Sequence, residues 1–154
     1  MNKKAKSQIK RISNRRARHD YELGDGLVVG IALNGRETKA LRLGHGQLQG
    51  AYVTVKDDEL WLINATISAS SGIPIDESEQ RRSRKLLAKR REIAQLIAAK
   101  QQGQTIIPLE ILTGGQFIKL RISVGRGKKK FDKRQSLKAR DEKRQIANVI
   151  KTQR

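Results

Sequence analysis

The chain has 154 residues, of which 34 are Lys or Arg and 15 are Asp or Glu, giving a formal net charge of +19. It has no cysteine, which excludes a disulfide framework, a thiolate zinc site and a Cys nucleophile, and no apolar run reaches the ~18 residues of a membrane span. The basic N-terminus is not followed by an apolar signal core, so a cytoplasmic protein is expected.

The charge is concentrated at the two ends. Residues 1–19 carry eight basic side chains and no acid, and residues 126–154 carry twelve basic side chains and three acids. The middle is nearly neutral and long enough for one modest core. A polyanion is the expected partner, with nucleic acid ahead of an anionic membrane surface.

In chain order, residues 1–13 read as a flexible basic arm and 14–125 as the folded domain. Residues 26–33 (GLVVGIAL) predict a strand, broken by Asn34-Gly35. Residues 36–42 suit a short helix. Residues 52–55 and 60–63 flank the acidic segment 56–59 and predict a hairpin. Ser78 reads as the N-cap of one long helix with the apolar stripe Leu86, Ile93, Leu96 and Ile97, ended by Gly103. Its other face carries Arg81, Arg82, Arg84, Lys85, Lys89, Arg90 and Arg91 with no acid among them.

Residues 105–112 and 117–124 predict a second hairpin. Phe117, Lys119, Arg121 and Ser123 alternate with Ile118, Leu120, Ile122 and Val124, a period of two. Pro108 marks its strand as an edge or as bulged. Residues 126–154 form a basic tail with one apolar cluster, Ile146, Val149 and Ile150, too little to order it in the free chain. Strands, helix, strands suggest a small antiparallel barrel of the OB type with flanking helices, or an open α+β sandwich.

Catalytic readings find little support. His19 and His45 have no ligand set beside them in sequence, and Asp57-Asp58-Glu59 sit in a turn where acids are solvated. Gly125-Arg126-Gly127-Lys128 fails as a phosphate loop, because Ile122 stands where the first glycine is required. Only five aromatics are present, and Tyr52 and Trp61 fall on strand patterns as core candidates. Few stacking platforms and many cations favour structured RNA gripped through phosphates, shape and 2′-hydroxyls. No helix-turn-helix or zinc-finger pattern supports DNA reading.

Four segments, in register, resemble the SsrA-binding protein family, also called small protein B (SmpB). They are Asn14-Arg15-Arg16-Ala17-Arg18-His19-Asp20-Tyr21, Gly35-Arg36-Glu37-Thr38-Lys39-Ala40-Leu41-Arg42, Arg84-Lys85-Leu86-Leu87 and Gly127-Lys128-Lys129-Lys130-Phe131-Asp132-Lys133-Arg134. The chain departs from the family pattern at Thr38, Ala40, Ala88, Lys89 and Phe117, and residues 68–78 keep only Pro74 of the usual prolines.

The resemblance implies a mainly β fold with flanking helices: an OB-like closed antiparallel barrel and a basic tail, disordered when free and helical on the ribosome. It implies no enzymatic activity and no cofactor. Family members bind the tRNA-like domain of transfer-messenger RNA (tmRNA). With an elongation factor they deliver the aminoacylated tmRNA to stalled ribosomes for trans-translation, with the tail in the decoding centre and mRNA channel of the small subunit.

Carried over by position, the tmRNA-binding residues are Asn14, Arg16, Arg18, His19, Tyr21, Glu37, Lys39, Arg42, Arg84, Lys85, Leu87 and Lys119. Glu37 would accept from a base, a 2′-hydroxyl or a neighbouring Arg. The ribosome-binding tail residues are Lys128, Lys129, Phe131, Asp132, Lys133, Arg134, Lys138 and Arg140, with Asp132 capping a helix. On composition alone, a structural ribosomal protein or a small OB-type translation factor binding ribosomal RNA fits equally well.

Overall fold

The computed structural model describes residues 11–152. Its elements are β1 (Ile12–Ser13), α1 (Ala17–Asp20), β2 (Tyr21–Ile31), α2 (Gly35–Arg42), β3 (Gly46–Gln47), β4 (Tyr52–Lys56), β5 (Glu59–Ile63), β6 (Thr66–Ile67), α3 (Glu77–Gln80), β7 (Arg84–Leu87), α4 (Arg90–Gln101), β8 (Thr105–Leu112), β9 (Lys119–Gly127) and α5 (Lys130–Thr152). The fold is mainly β with flanking helices, as expected.

Both hairpins form. β4 and β5 pair antiparallel around Asp57 and Asp58, which both take positive φ. β8 and β9 pair from Leu112↔Lys119 to Thr105↔Gly125. Period-two alternation decides which side of β9 is core. Leu120 and Ile122 are fully buried, while Lys119 and Arg121 are exposed. The register shifts between Pro108 and Glu110, so β8 is bulged at its proline, which has no N–H for the ladder. Asn14 stitches that bulge: its backbone N–H donates to the Leu109 carbonyl (2.7 Å) and its Nδ2 to the Pro108 carbonyl (3.1 Å).

In the large sheet the hydrogen-bonded order is β1-β8-β4-β5-β7-β2-β9, with β8 and β9 also paired to each other. β3 and β6 make a separate two-stranded sheet. Inside the large sheet Val29, Val53, Leu60, Leu62, Leu86, Ile106, Leu120 and Ile122 meet Ala40 and Leu41 of α2 and Leu96 of α4.

Several expectations are corrected. The single long helix does not form. Residues 77–80 make the short α3, residues 84–87 make β7 between β5 and β2, and the helix proper starts at Arg90. Alternating burial of Arg84 and Leu86 against Lys85 and Leu87 is a strand pattern, satisfied only by partners distant in sequence. α4 does end where expected, with Gly103 at φ 84° just beyond it. Second, the expected flexible arm does not extend through residue 13, because Ile12 is buried and pairs with Ile111. Residues 1–10 lie outside the described residues. Third, Tyr52 is 44% exposed and Trp61 only half-buried, so neither is a core anchor.

The folded domain was expected to end at residue 125, but β9 runs on to Gly127. The segment beyond is helical from Lys130 to Thr152, so Asp132 falls inside the first turn of α5 rather than at its cap.

Candidate nucleic-acid interface

The residues proposed for RNA binding fall into two groups at opposite ends of the β2–β9 ladder. Tyr21 pairs with Gly127 at one end and Gly30 with Lys119 at the other. Nine residue steps separate Tyr21 from Gly30, roughly 30 Å at ~3.3 Å per step.

At the Gly30 end, β7, β2 and β9 lie side by side. Leu87 is opposite Gly30, and Gly30 is opposite Lys119. Directly opposed residues share a face. Leu87 is 55% exposed and Lys119 is exposed, so that face is the outer one. A Cβ on Gly30 would stand 3.2 Å from the Leu87 Cβ, so the glycine lets the Leu87 side chain lie close against the β2 backbone. One strand pair along, Val28 sits opposite Arg121, whose Nη1 bonds Glu110 at 3.1 Å. Lys85 also points outward and is ion-paired to Glu59 at 2.8 Å.

α2 starts beside this row. Asn34 caps it, its Oδ1 accepting from the Glu37 N–H at 2.9 Å. Lys39 is exposed. Arg42 is turned to a structural task. Its Nη1 donates to the Thr113 and Gly115 carbonyls and its Nη2 to the Gln116 carbonyl, which ties down the β8–β9 loop. Phe117, in the loop so held, is 71% exposed.

Glu37 and Arg84 do not reach the surface. Both are buried, and Arg84 Nε donates to Glu37 Oε2 at 3.1 Å. Arg84 Nη1 donates to the Ala65 and Arg82 carbonyls and Nη2 to the Glu79 and Gln80 carbonyls. All five N–H donors of the guanidinium are therefore used inside the fold. Burial lowers the Arg84 pKa, and the Glu37 carboxylate opposes that shift. The expectation that Arg84 touches RNA is corrected. As a β7 residue it alternates inward, and its charge is spent on Glu37 and four carbonyls. For Glu37, of the three acceptor roles expected, the neighbouring-Arg role is the one realised. Its other oxygen takes Arg82 Nε at 2.6 Å. Sequence reasoning counted Arg82 only as one cation of the expected basic face and missed its pairing with Glu37; its side chain is 37% exposed. It stands 45 residues from Glu37, and no local pattern links the two.

The expected seven-cation helix face is divided accordingly. Arg81 and Arg82 follow α3, Arg84 and Lys85 lie on opposite faces of β7, and Lys89, Arg90 and Arg91 sit at the start of α4.

At the Tyr21 end, Asn14 is structural, while Arg16 and Arg18 are exposed. Tyr21, Arg16 and Tyr52 line a cleft of about 460 Å³. His19 Nε2 is 4.0 Å from Asp20 Oδ1. Asp20 also holds the root of the tail: Lys133 Nζ is 3.5 Å away, and the Lys128 N–H donates to the Asp20 carbonyl at 2.8 Å. Lys128 Nζ donates to the Arg18 carbonyl. Lys129, Arg134, Lys138 and Arg140 are exposed. The side chains of Phe131 and Asp132 lie outside the described residues. Among the described residues no cluster of three or more His, Cys, Asp or Glu could hold a metal ion.

A β domain of small net charge, exposed cations at both ends and a basic helix rooted at one of them together define a binder of polyanions. The chain belongs to the SmpB family, whose model, SmpB protein, matches residues 11–152. It is 45% identical over 143 residues to an SsrA-binding protein of Protochlamydia amoebophila, covering 92% of this chain and 94% of that one. It is 42% identical over 154 residues to an SsrA-binding protein of Trichormus variabilis, covering 98% and 99%. A solved chain described as "tmRNA-SmpB: a journey to the center of the bacterial ribosome" superposes with a TM-score of 0.63 at 37% identity, covering 78% of this chain and 85% of that one.

Proposed function

We propose that this chain binds tmRNA and works with it on stalled ribosomes in trans-translation, as a binding protein rather than an enzyme. The observation that carries this is the family match over residues 11–152, with relatives that are SsrA-binding proteins along nearly their whole length. The charge layout agrees, since a nearly neutral domain with basic ends suits an RNA gripped through its phosphates.

The large sheet is read as a closed, OB-like barrel. In support, the pairings β8-β4-β5-β7-β2-β9 return to β8. Within it, Lys39, Lys119 and Leu87 at one end and Arg16, Arg18 and Tyr21 at the other are read as contacts to the tRNA-like domain. The tail from 126 is read as the ribosomal element, entering the decoding centre and mRNA channel of the small subunit. The elongation factor and aminoacylated tmRNA complete the delivery complex. This work belongs to the cytoplasm. Among the described residues no helix is long and apolar enough to cross a membrane.

The test is pulldown of the tagged chain from cells followed by RNA sequencing, with gel shifts on the tRNA-like domain of tmRNA. The expected result is one enriched tmRNA species and a salt-sensitive shift. Stoichiometric ribosomal RNA with no tmRNA would overturn the reading in favour of a structural ribosomal protein.

A further inference from the structure

We infer that Arg82 is a preformed seat for a backbone phosphate of the bound RNA, and that buried Glu37 acts on RNA only through it. The inference rests on the RNA-binding reading and adds to it a residue and a division of roles.

The argument begins with the charges of one cluster. Glu37 supplies one carboxylate, and two guanidinium groups converge on it, Arg84 on Oε2 and Arg82 on Oε1. The group therefore carries one positive charge in excess. Arg84 is 1% exposed and has no donor left to offer. Glu37 is fully buried, so no RNA atom can reach it. The excess charge meets solvent only at Arg82, 37% exposed.

Arg82 has donors to give. Its Nε is engaged by Glu37 at 2.6 Å, which fixes the plane of the guanidinium. Nη1 makes one long bond, 3.4 Å, to the Ser83 carbonyl. Nη2 makes none among the described residues. The end opposite the carboxylate thus offers a fork of the shape that phosphate oxygens accept in pairs. Holding the side chain in advance lowers the ordering entropy that an arginine otherwise loses on binding. Arg81, next in sequence, is exposed and adds to the local positive field.

The reading makes a signed prediction that simple electrostatics does not. Removing an acid from a chain of charge +19 should tighten its hold on a polyanion. If Glu37 works by orienting Arg82, removing its charge should weaken that hold. The experiment titrates the full chain against the labelled tRNA-like domain of tmRNA by fluorescence anisotropy at several salt concentrations. It uses wild type, Arg82→Ala, Arg82→Lys, Glu37→Gln and the double variant, with a thermal unfolding curve for each.

We expect Arg82→Ala to weaken binding roughly 10-fold or more, as loss of a charge-assisted contact does. Its salt slope should fall by about one. Arg82→Lys should recover the slope but only part of the affinity, having charge without the fork. Glu37→Gln should weaken binding, and the double variant should bind no worse than Arg82→Ala alone. Wild-type affinity in Arg82→Ala would overturn the seat. So would tighter binding by Glu37→Gln, or losses that multiply in the double variant. If Glu37→Gln does not fold, the comparison of Arg82→Ala with Arg82→Lys decides, and equal binding by the two overturns the fork. Failure of the wild type itself to bind would overturn the proposed function, an outcome distinct from any of these.

Discussion

Two ion pairs of similar length carry opposite weight here, because one is buried and one is not. Lys85 and Glu59 meet at 2.8 Å with both side chains 42% exposed, so water screens them and the pair is worth at most about 1 kcal/mol. Arg84 and Glu37 meet at 3.1 Å with neither exposed. Removing Arg84 strands four carbonyls and empties a large buried volume. Arg84→Ala should therefore cost about 3–5 kcal/mol of stability. Lys85→Ala should cost less than about 1 kcal/mol. Urea unfolding of both variants measures the contrast, and similar midpoints would refute it. Charge reversal at Arg84 would abolish RNA binding by unfolding the domain rather than by removing a contact. A sequence reader sees Arg84 as one cation in a run of seven. Its partner is 47 residues away, and its inward direction exists only once β7 is a strand. The Glu37–Arg82–Arg84 cluster was therefore illegible before the fold was known.

At the scale of elements, what was legible was local. Alternation over residues 118–122, Pro108 at a bulge, Asn34-Gly35 as a strand break and Gly103 as a stop are each decided within a few residues, and each stands in the structure, whereas Ser123, expected on the polar face, is buried. The failure at residues 84–87 was non-local. The same four residues fit a helical stripe with Ile93 and Leu96, but β5 and β2 offer two ladders of hydrogen bonds, and burial of Leu86 between them prevails. The β4–β5 turn carries a local cost that can be removed. Asp57 and Asp58 sit at φ 53° and 59°, where a side chain is penalised and glycine is not. Asp58→Gly should stabilise the chain by up to about 1 kcal/mol, after subtracting the extra freedom of an unfolded glycine. A lower melting temperature would mean that the aspartate has a compensating bond. The row Leu87–Gly30–Lys119 spans three strands, so the RNA contact proposed for it is an element property as well. Lys119→Glu should weaken tmRNA binding by about 1–3 kcal/mol without moving the unfolding midpoint, since the side chain is exposed. Unchanged gel shifts would remove this row from the interface.

For the whole molecule, the question is whether the tail is part of the domain or a separate tool. Its root is attached to α1 by Lys128 and Lys133, through contacts that are exposed or half-exposed and weak one by one. Beyond Leu137 every residue of α5 is exposed, and Ile146, Val149 and Ile150 are 61%, 56% and 57% exposed on one side of the helix. Helices in proteins draw most of their stability from packing, and α5 is packed only at its root, so its order depends on what it meets. Its cations would find phosphates along an RNA-walled channel, and its apolar side a contact at the far end. The domain does not need it, because no tail residue belongs to the core. Deleting residues 131–154 should therefore leave thermal unfolding and tmRNA gel shifts nearly intact. It should abolish tagging of a stalled nascent chain in a reconstituted translation reaction. Replacing Asp132, Lys133 and Arg134 together with Ala should have much the same effect, with the Lys133–Asp20 contact a minor part of it. Normal tagging by the truncated chain would show that the tail is not the ribosomal element. Loss of the gel shift would show instead that α5, lying beside Arg18 and Asp20, is part of the tmRNA surface.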